Sequence, residues 1–412
     1  MMSASCNQRA RDRDRRAMIV LLTSLMLVTS TLSHAAQVPD SLLLKKIVVD
    51  SSTNHILDTR YRRMPLPVRI EAPYHAQLRE RVQRTADLSD KDEMQTIVTL
   101  NAWVSAQWKH DGRNVPPLSM NACQILDQTA TGVRYNCEAF ARVLNDVMIA
   151  HGIVSRVIQL RTADQAYGGP GQGHIANEAW SNSLKKWIFL DPQMNGMVLR
   201  NNEPQNISEI SSAISEGRRA ELRFLCSGIS AEKYEEFLTK HMGYLITLIK
   251  SGTHDALLTL SLNAKDQFLT FQGLPASGTE FTTNRGDLYP PVNETSMSFY
   301  YDNLISFDSV MRQYDVRTKE DYVRAMPRFA AVPKFKIGLE NTMPWFDHYE
   351  VSIDGKQWTN VKGAELQWRL HEGHNSIQVR SVNSRQVAGP ATTMHITYGN
   401  DGSSRVMPGA SH

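Results

Sequence analysis

The sequence predicts an α+β protein in which a mixed helix-and-strand core precedes a C-terminal β-sandwich, and three patterns carry that reading. Apolar residues recur at helical spacing over residues 94–108, and again from Cys137 through Phe140, Val143, Leu144, Val147 and Met148 to a stop at Gly152. Short runs rich in β-branched and aromatic residues follow at 153–160, 175–180 and 186–190, the last two flanking the turn-like Ser181-Asn182-Ser183. The final stretch changes character: Tyr349, Val351 and Ile353 alternate with polar residues, Asp354-Gly355 marks a hairpin, and runs recur at 366–370, 377–382 and 394–398.

At 412 residues the chain is long enough for two or three domains. Its 41% hydrophobic and 21% charged residues, with 23 Gly and 17 Pro, exclude wholesale disorder and collagen-like repeats. The net charge of +3 is already reached within residues 1–35, where Arg9, Arg11, Arg13, Arg15 and Arg16 stand against Asp12 and Asp14. No basic run lies beyond them, so no nucleic-acid partner is expected. The same arginines precede a 16-residue apolar stretch, 17–32, and then Ser33-His34-Ala35. That run is short for a span of about 20 residues, so residues 1–35 read as a cleaved signal peptide. No cysteine follows it closely, and the flanks of Arg15-Arg16 match a twin-arginine signal poorly. The mature protein is expected to lack a membrane span and to be exported, periplasmic or extracellular.

The expected organisation is a signal peptide at 1–35, an N-terminal extension at 36–90, a chemistry-bearing domain with an added mixed region at 91–325, a sandwich at 326–400 and a flexible tail at 401–412. By strand pattern the 326–400 segment resembles immunoglobulin-like or fibronectin type III modules. Within 200–325, Tyr234, Phe237, Leu238, Met242, Leu245 and Ile249 predict one long helix, with strands at 257–262, 268–271 and 297–301. No catalytic pattern stands out there. Arg285-Gly286-Asp287 is read as a polar turn.

Cys6 leaves with the leader, so Cys123, Cys137 and Cys226 remain, an odd number. Cys137 follows the loop 132–136 and opens an amphipathic helix, so its sulfur meets the positive end of the helix dipole, which favours a thiolate. Acyl transfer by a thiolate also needs a proton acceptor held by a third group. His174 and Asp191 meet that need: folding 175–180 against 186–190 about a turn near residue 183 sets them opposite each other, with Asp191 expected to accept the Nδ1 hydrogen. Cys137 is therefore expected to be the free reactive thiol. Cys123 and Cys226 are expected either to pair or to stay inert.

Taken in order, Gly132-x4-Cys137-Glu138-Ala139-Phe140-Ala141, then 152–157, then Gly173-His174-x3-Glu178-Ala179-Trp180, then Trp187-x3-Asp191-Pro192, the chain resembles the transglutaminase-like cysteine enzymes over roughly residues 95–200. The resemblance implies a papain-like α+β core with Cys137 as nucleophile, His174 as general base and then acid, and Asp191 as orienting carboxylate. It also implies an oxyanion role for Trp103, 34 residues before Cys137, although Trp103 equally fits a buried helix face with Ile97, Leu100 and Val104. Ile175 and Ala176 follow the histidine where many members carry an aromatic residue. Arg156 and Glu178 are read as supporting the site or the fold.

A zinc site drawn from Cys123, Cys137, His151 and His174 lacks closely spaced ligand pairs, and the 168–173 glycine cluster lacks a P-loop ending, so no metal and no cofactor are expected. The expected function is an exported cysteine-dependent hydrolase of amide bonds in a protein, peptide or cell-wall substrate. Protein-glutamine acyl transfer, as in a transglutaminase, and a non-catalytic scaffold using the sandwich are the alternatives. The oligomeric state is not readable.

Overall fold

The computed structural model describes residues 46–54, 72–163, 173–250, 255–262, 279–301, 315–321 and 334–399. The expected leader, the tail at 401–412 and the strand at 268–271 lie outside them. In chain order the elements are β1 (Lys46–Ser52), α1 (His75–Gln83), α2 (Glu93–Ser105), α3 (Ala122–Ala130), α4 (Cys137–Ala150), β2 (Ser155–Arg161), β3 (Gly173–Ser181), β4 (Lys186–Leu190), β5 (Met197–Arg200), β6 (Glu203–Pro204), α5 (Ile207–Ser215), β7 (Leu222–Leu225), α6 (Ala231–Lys240), β8 (Tyr244–Lys250), β9 (Asp255–Ser261), β10 (Thr279–Thr282) and β11 (Thr295–Tyr301). Then come β12 (Lys334–Asn341), β13 (Phe346–Ile353), β14 (Thr359–Val361), β15 (Glu365–Arg369), β16 (Gly373–Asn383) and β17 (Thr392–Gly399).

Helix starts follow local chemistry. Asp92, Asn121 and Asn206 each cap the third amide of α2, α3 and α5, while Gln95, Gln124 and Glu209 reach back to the cap's own N–H. Asn136 and Ser230 cap α4 and α6 with their side chains alone. Gly152, at φ +83°, ends the α4 run as only a glycine does without strain.

The central sheet runs β10-β9-β8-β2-β3-β4, antiparallel except for the β9/β10 pair. One face carries Ala179, Ile188 and Leu190 against α4, around which α1, α2 and α3 pack with Leu78, Ile97, Leu100 and Leu126. The other face carries Ile158, Leu160, Ala176 and Phe189 against Ile210, Tyr234 and Leu238 of α5 and α6. Period-two alternation along β4 thus feeds two separate cores.

The expected long helix over 234–249 is corrected: α6 stops at Lys240 and Leu245 and Ile249 belong to β8. Gly243 explains the break. Its N–H donates to the Arg161 carbonyl at 2.8 Å, and a Cβ there would stand 2.3 Å from the Ala163 nitrogen. The chain is thereby laid onto the end of β2 and continues as a strand, and an apolar run of this kind satisfies either periodicity.

The C-terminal β-sandwich has a five-stranded antiparallel sheet, β1-β17-β16-β13-β14, and a three-stranded one, β11-β12-β15. Ile377 and Val379 are buried between half-buried neighbours on β16, the alternation of a strand that packs mainly on one side. Asp354 (φ +54°) and Gly355 (φ +69°) make the expected hairpin turn. The limits 326–400 are too narrow, because β1 and β11 supply strands from residues 46–52 and 295–301, and a cut at 326 would separate β11 from its seven-residue pairing with β12. Residues 48–302 and 334–397 form one compact unit. Within it Trp345 packs with Ile149, Trp180, Trp187 and Val292, and Asn293 Nδ2 donates to Asn182 Oδ1 at 2.6 Å. In the remaining described residues, Thr318 and Asp321 exchange amide hydrogen bonds at 3.1 and 3.0 Å in a short turn.

Candidate active site

Cys137 is the first residue of α4, half-buried, and its placement is laced from two sides. The Asn136 side chain takes the Ala139 amide, and the loop before the helix is tied to residues 111–114: Asp111 N–H donates to the Tyr135 carbonyl at 3.0 Å and Asn136 N–H to the Asn114 carbonyl at 2.9 Å. As the first helical residue, Cys137 has an N–H with no acceptor inside its own helix.

β3 lies beneath this helix, with Asn177 Nδ2 donating to the Ala141 carbonyl at 3.0 Å. β4 ends at Leu190, opposite Asn177, so residues 173–176 run past it. The Ile175 amide on that open stretch hydrogen-bonds the Cys137 sulfur. His174, 2% exposed, directs Nε2 at Asp191 Oδ2, 2.9 Å away and fully buried. That leaves Nδ1 for the Cys137 thiol, which His174 also hydrogen-bonds.

Two details differ from the expectation. The register Ser181↔Lys186 through Asn177↔Leu190 sets Asp191 diagonal to His174 rather than opposite it, because the turn spans 182–185 with Lys185 at φ +53°. The carboxylate also holds Nε2 instead of Nδ1. A diagonal pair on one face lies within reach of a long side chain, so the His–Asp contact survives the shift.

Asp191 is held on both oxygens. Oδ1 accepts from the amides of Gln193 (3.1 Å) and Met194 (3.3 Å), and Oδ2 accepts from the Tyr234 hydroxyl (3.2 Å) as well as from His174. Backbone bonds between Asp191 and Gly196, at 2.9 and 2.7 Å, close the turn that carries it. A Cβ at Gly196 would stand 2.1 Å from the Tyr234 hydroxyl, so a glycine is required for this approach.

The electrostatics follow from these contacts. Burial alone raises a thiol, but hydrogen bonds from His110 and His174, the His174 charge and the Ile175 amide outweigh it and bring Cys137 down to about 6. Burial alone lowers an imidazole, but the Asp191 charge and hydrogen bond, with the Cys137 thiolate, push His174 up to about 10. Between those values the pair is a thiolate and an imidazolium. The other cysteines shift the opposite way, both raised first by burial. Cys123 and Cys226 are free, with no disulfide between them, since Cys123 packs on the α4 core and Cys226 on the α5–α6 core.

Trp103 is 7% exposed within the helical core, on the face it shares with Ile97, Leu100 and Val104, and its Nε1 donates to Thr85 Oγ1 at 2.7 Å. Arg156 and Glu178 form a buried pair at 2.5 Å; Glu178 also accepts from the Ile207 amide (3.0 Å) and the Tyr289 hydroxyl (2.9 Å), tying β2 and β3 to α5. Among the described residues no group of three or more His, Cys, Asp or Glu side chains is placed to hold a metal ion.

Three residues at the site escaped the sequence reading. His110 reaches the Cys137 sulfur from an exposed loop that composition marks only as polar. Tyr234 and Phe237 come from one face of α6, in the stretch where no catalytic pattern was visible. Phe237 meets the His174 ring edge-on, centroids 5.0 Å apart, so α6 supplies the aromatic neighbour that Ile175 does not. Their spacing reads as a packing stripe, which it also is.

Residues 80–192 match the family model described as the transglutaminase-like superfamily. Among solved structures, red sea bream transglutaminase aligns with 12% identity over 88% of this chain and 79% of that one, at a TM-score of 0.24. No curated protein matches the chain. Residues 80–192 thus match a transglutaminase-like superfamily domain, and that match supports a cysteine-dependent amide-bond enzyme at the coarse level.

Proposed function

We propose that Cys137, His174 and Asp191 are the catalytic triad of an exported enzyme that hydrolyses amide bonds in protein, peptide or cell-wall substrates. The observation that carries this reading is the half-buried thiol at a helix start with the His174–Asp191 pair, 2.9 Å apart, behind it. The Cys137 thiolate attacks the scissile carbonyl carbon, and the oxygen that becomes negative lies near the N–H groups of the α4 N-terminus. His174 gives its Nδ1 proton to the leaving nitrogen as the C–N bond breaks, leaving a thioester on Cys137. The neutral imidazole then takes a proton from water as that water attacks the thioester, which releases the carboxylic acid and restores the thiol pair. Asp191 holds the ring and its charge throughout.

Support for water as the acceptor is the placement of the half-buried Cys137 beside the exposed His110 loop. The test is mass spectrometry of the purified protein with peptides and cell-wall fragments, with and without a primary amine. A Cys137 acyl adduct and cleaved products free of amine support hydrolysis. Amine-bearing products would make the protein an acyltransferase, and no adduct with any substrate would favour the scaffold reading.

A further inference from the structure

Arg161 is the last residue of β2 and pairs with Gly173, the neighbour of His174. Its backbone is fixed: the carbonyl accepts the Gly243 N–H at 2.8 Å, and the residue bridges Met242. The side chain is half-buried and lies across Gly173, where any Cβ would come within 2.4 Å of Nη1. Cross-strand partners share a face, so Arg161 stands with Gly173, Ile175 and Asn177 on the side that Asn177 bonds to α4. Cys137 begins that helix, and its thiolate and the Arg161 guanidinium attract each other.

Among the described residues the guanidinium meets no carboxylate. Within that same set its side chain makes one hydrogen bond, from Nη2 to Gln159 Oε1 at 2.9 Å, and no ion pair. Arg156, on the same strand, is the contrast, since its charge is met by Glu178. A guanidinium offers five N–H donors in a fork that fits a carboxylate, and a partly buried one with a single neutral acceptor is poorly satisfied.

We infer that Arg161 recognises a carboxylate of the substrate, so that the preferred substrates are amides bearing a carboxylate close to the scissile carbonyl. The inference rests on Cys137 being the nucleophile, and small alkylating probes separate the two claims. Iodoacetate carries the carboxylate and iodoacetamide does not, while both alkylate the same sulfur. At neutral pH the rate ratio of iodoacetate to iodoacetamide at Cys137 should exceed that of free cysteine by about tenfold, the size of one charge-assisted hydrogen bond. Arg161→Gln should lower the ratio several-fold, short of the free-cysteine value because the His174 imidazolium stays beside the thiolate, with the iodoacetamide rate as internal reference for any change in the thiolate itself. Arg161→Lys keeps the charge without the fork and should fall between. An unchanged ratio in Arg161→Gln overturns the inference and leaves the nucleophile standing. Failure of iodoacetamide to label Cys137 in the unaltered protein overturns both.

Discussion

The candidate site is built from two regions that differ in how they reach it. Cys137, His174 and Asp191 come from α4, β3 and the end of β4, consecutive or nearly consecutive elements packed directly on one another. His110, Tyr234 and Phe237 arrive from a loop before the nucleophile and from a helix on the far face of the sheet. The first region holds the groups to which the proposed reaction assigns the exchange of electrons and protons. The second adjusts them: His110 helps depress the thiol, Tyr234 helps hold the carboxylate, and Phe237 borders the imidazole. Reactivity can therefore be lost in one region at a stroke and only graded in the other.

Substitutions can break that division. Cys137→Ala should abolish covalent turnover while the protein stays folded, checked by the loss of any acyl adduct in mass spectrometry and an unchanged circular dichroism spectrum. Asp191→Asn should cost a factor of about 10² to 10³ in kcat/KM, or about 2.7 to 4 kcal/mol, because a thiolate formed in advance depends less on the carboxylate than a serine does. The alkaline limb of its pH profile should fall from about 10 towards ordinary imidazole values, since the Asp191 charge is what raises His174. Full activity in a folded Asp191→Asn protein would reduce Asp191 to a turn residue.

The tuning region should give smaller effects. Tyr234→Phe removes one hydroxyl from Asp191 Oδ2 and should lower kcat several-fold, about 1 kcal/mol, with KM unmoved. A loss as large as that of Asp191→Asn would place Tyr234 in the first region instead. In the unaltered protein, iodoacetamide labelling of Cys137 should rise with pH through about 6, as the thiol loses its proton, and the turnover profile should fall again near 10, as the imidazolium loses its own. His110→Ala should move the acid limb upward from about 6, because a donor to the thiolate is gone. An unmoved limb would leave the depression to His174 and the Ile175 amide alone.

Much of the first region was legible because its signals are local. The loop at 132–136, an apolar stripe and Gly152 delimit α4 within a few residues, and the Ser181-Asn182-Ser183 turn sets β3 against β4 closely enough to pair His174 with Asp191. The two-residue diagonal and the choice of Nε2 were beyond that reach, since they depend on a four-residue turn and on which side of the ring faces the helix. The end of α6 was misread because the apolar run through Leu245 and Ile249 fits both periodicities. Only the close approach of Gly243 to β2 decides between them.

The sequence by itself determined the chemical inventory and its order: a cysteine at a helix start, a histidine and an aspartate on neighbouring strands, and a strand-rich C-terminal segment. Those follow from hydrogen bonds and side-chain periodicities spanning a few residues. Tertiary structure alone decided that Trp103 spends its indole N–H on Thr85, that Cys123 and Cys226 sit in different cores, that β1 and β11 complete the sandwich, and that His110 meets Cys137 and Tyr234 meets Asp191. Each of these is a contact between groups far apart along the chain, whose positions are set by how helices and sheets stack rather than by any neighbouring residue.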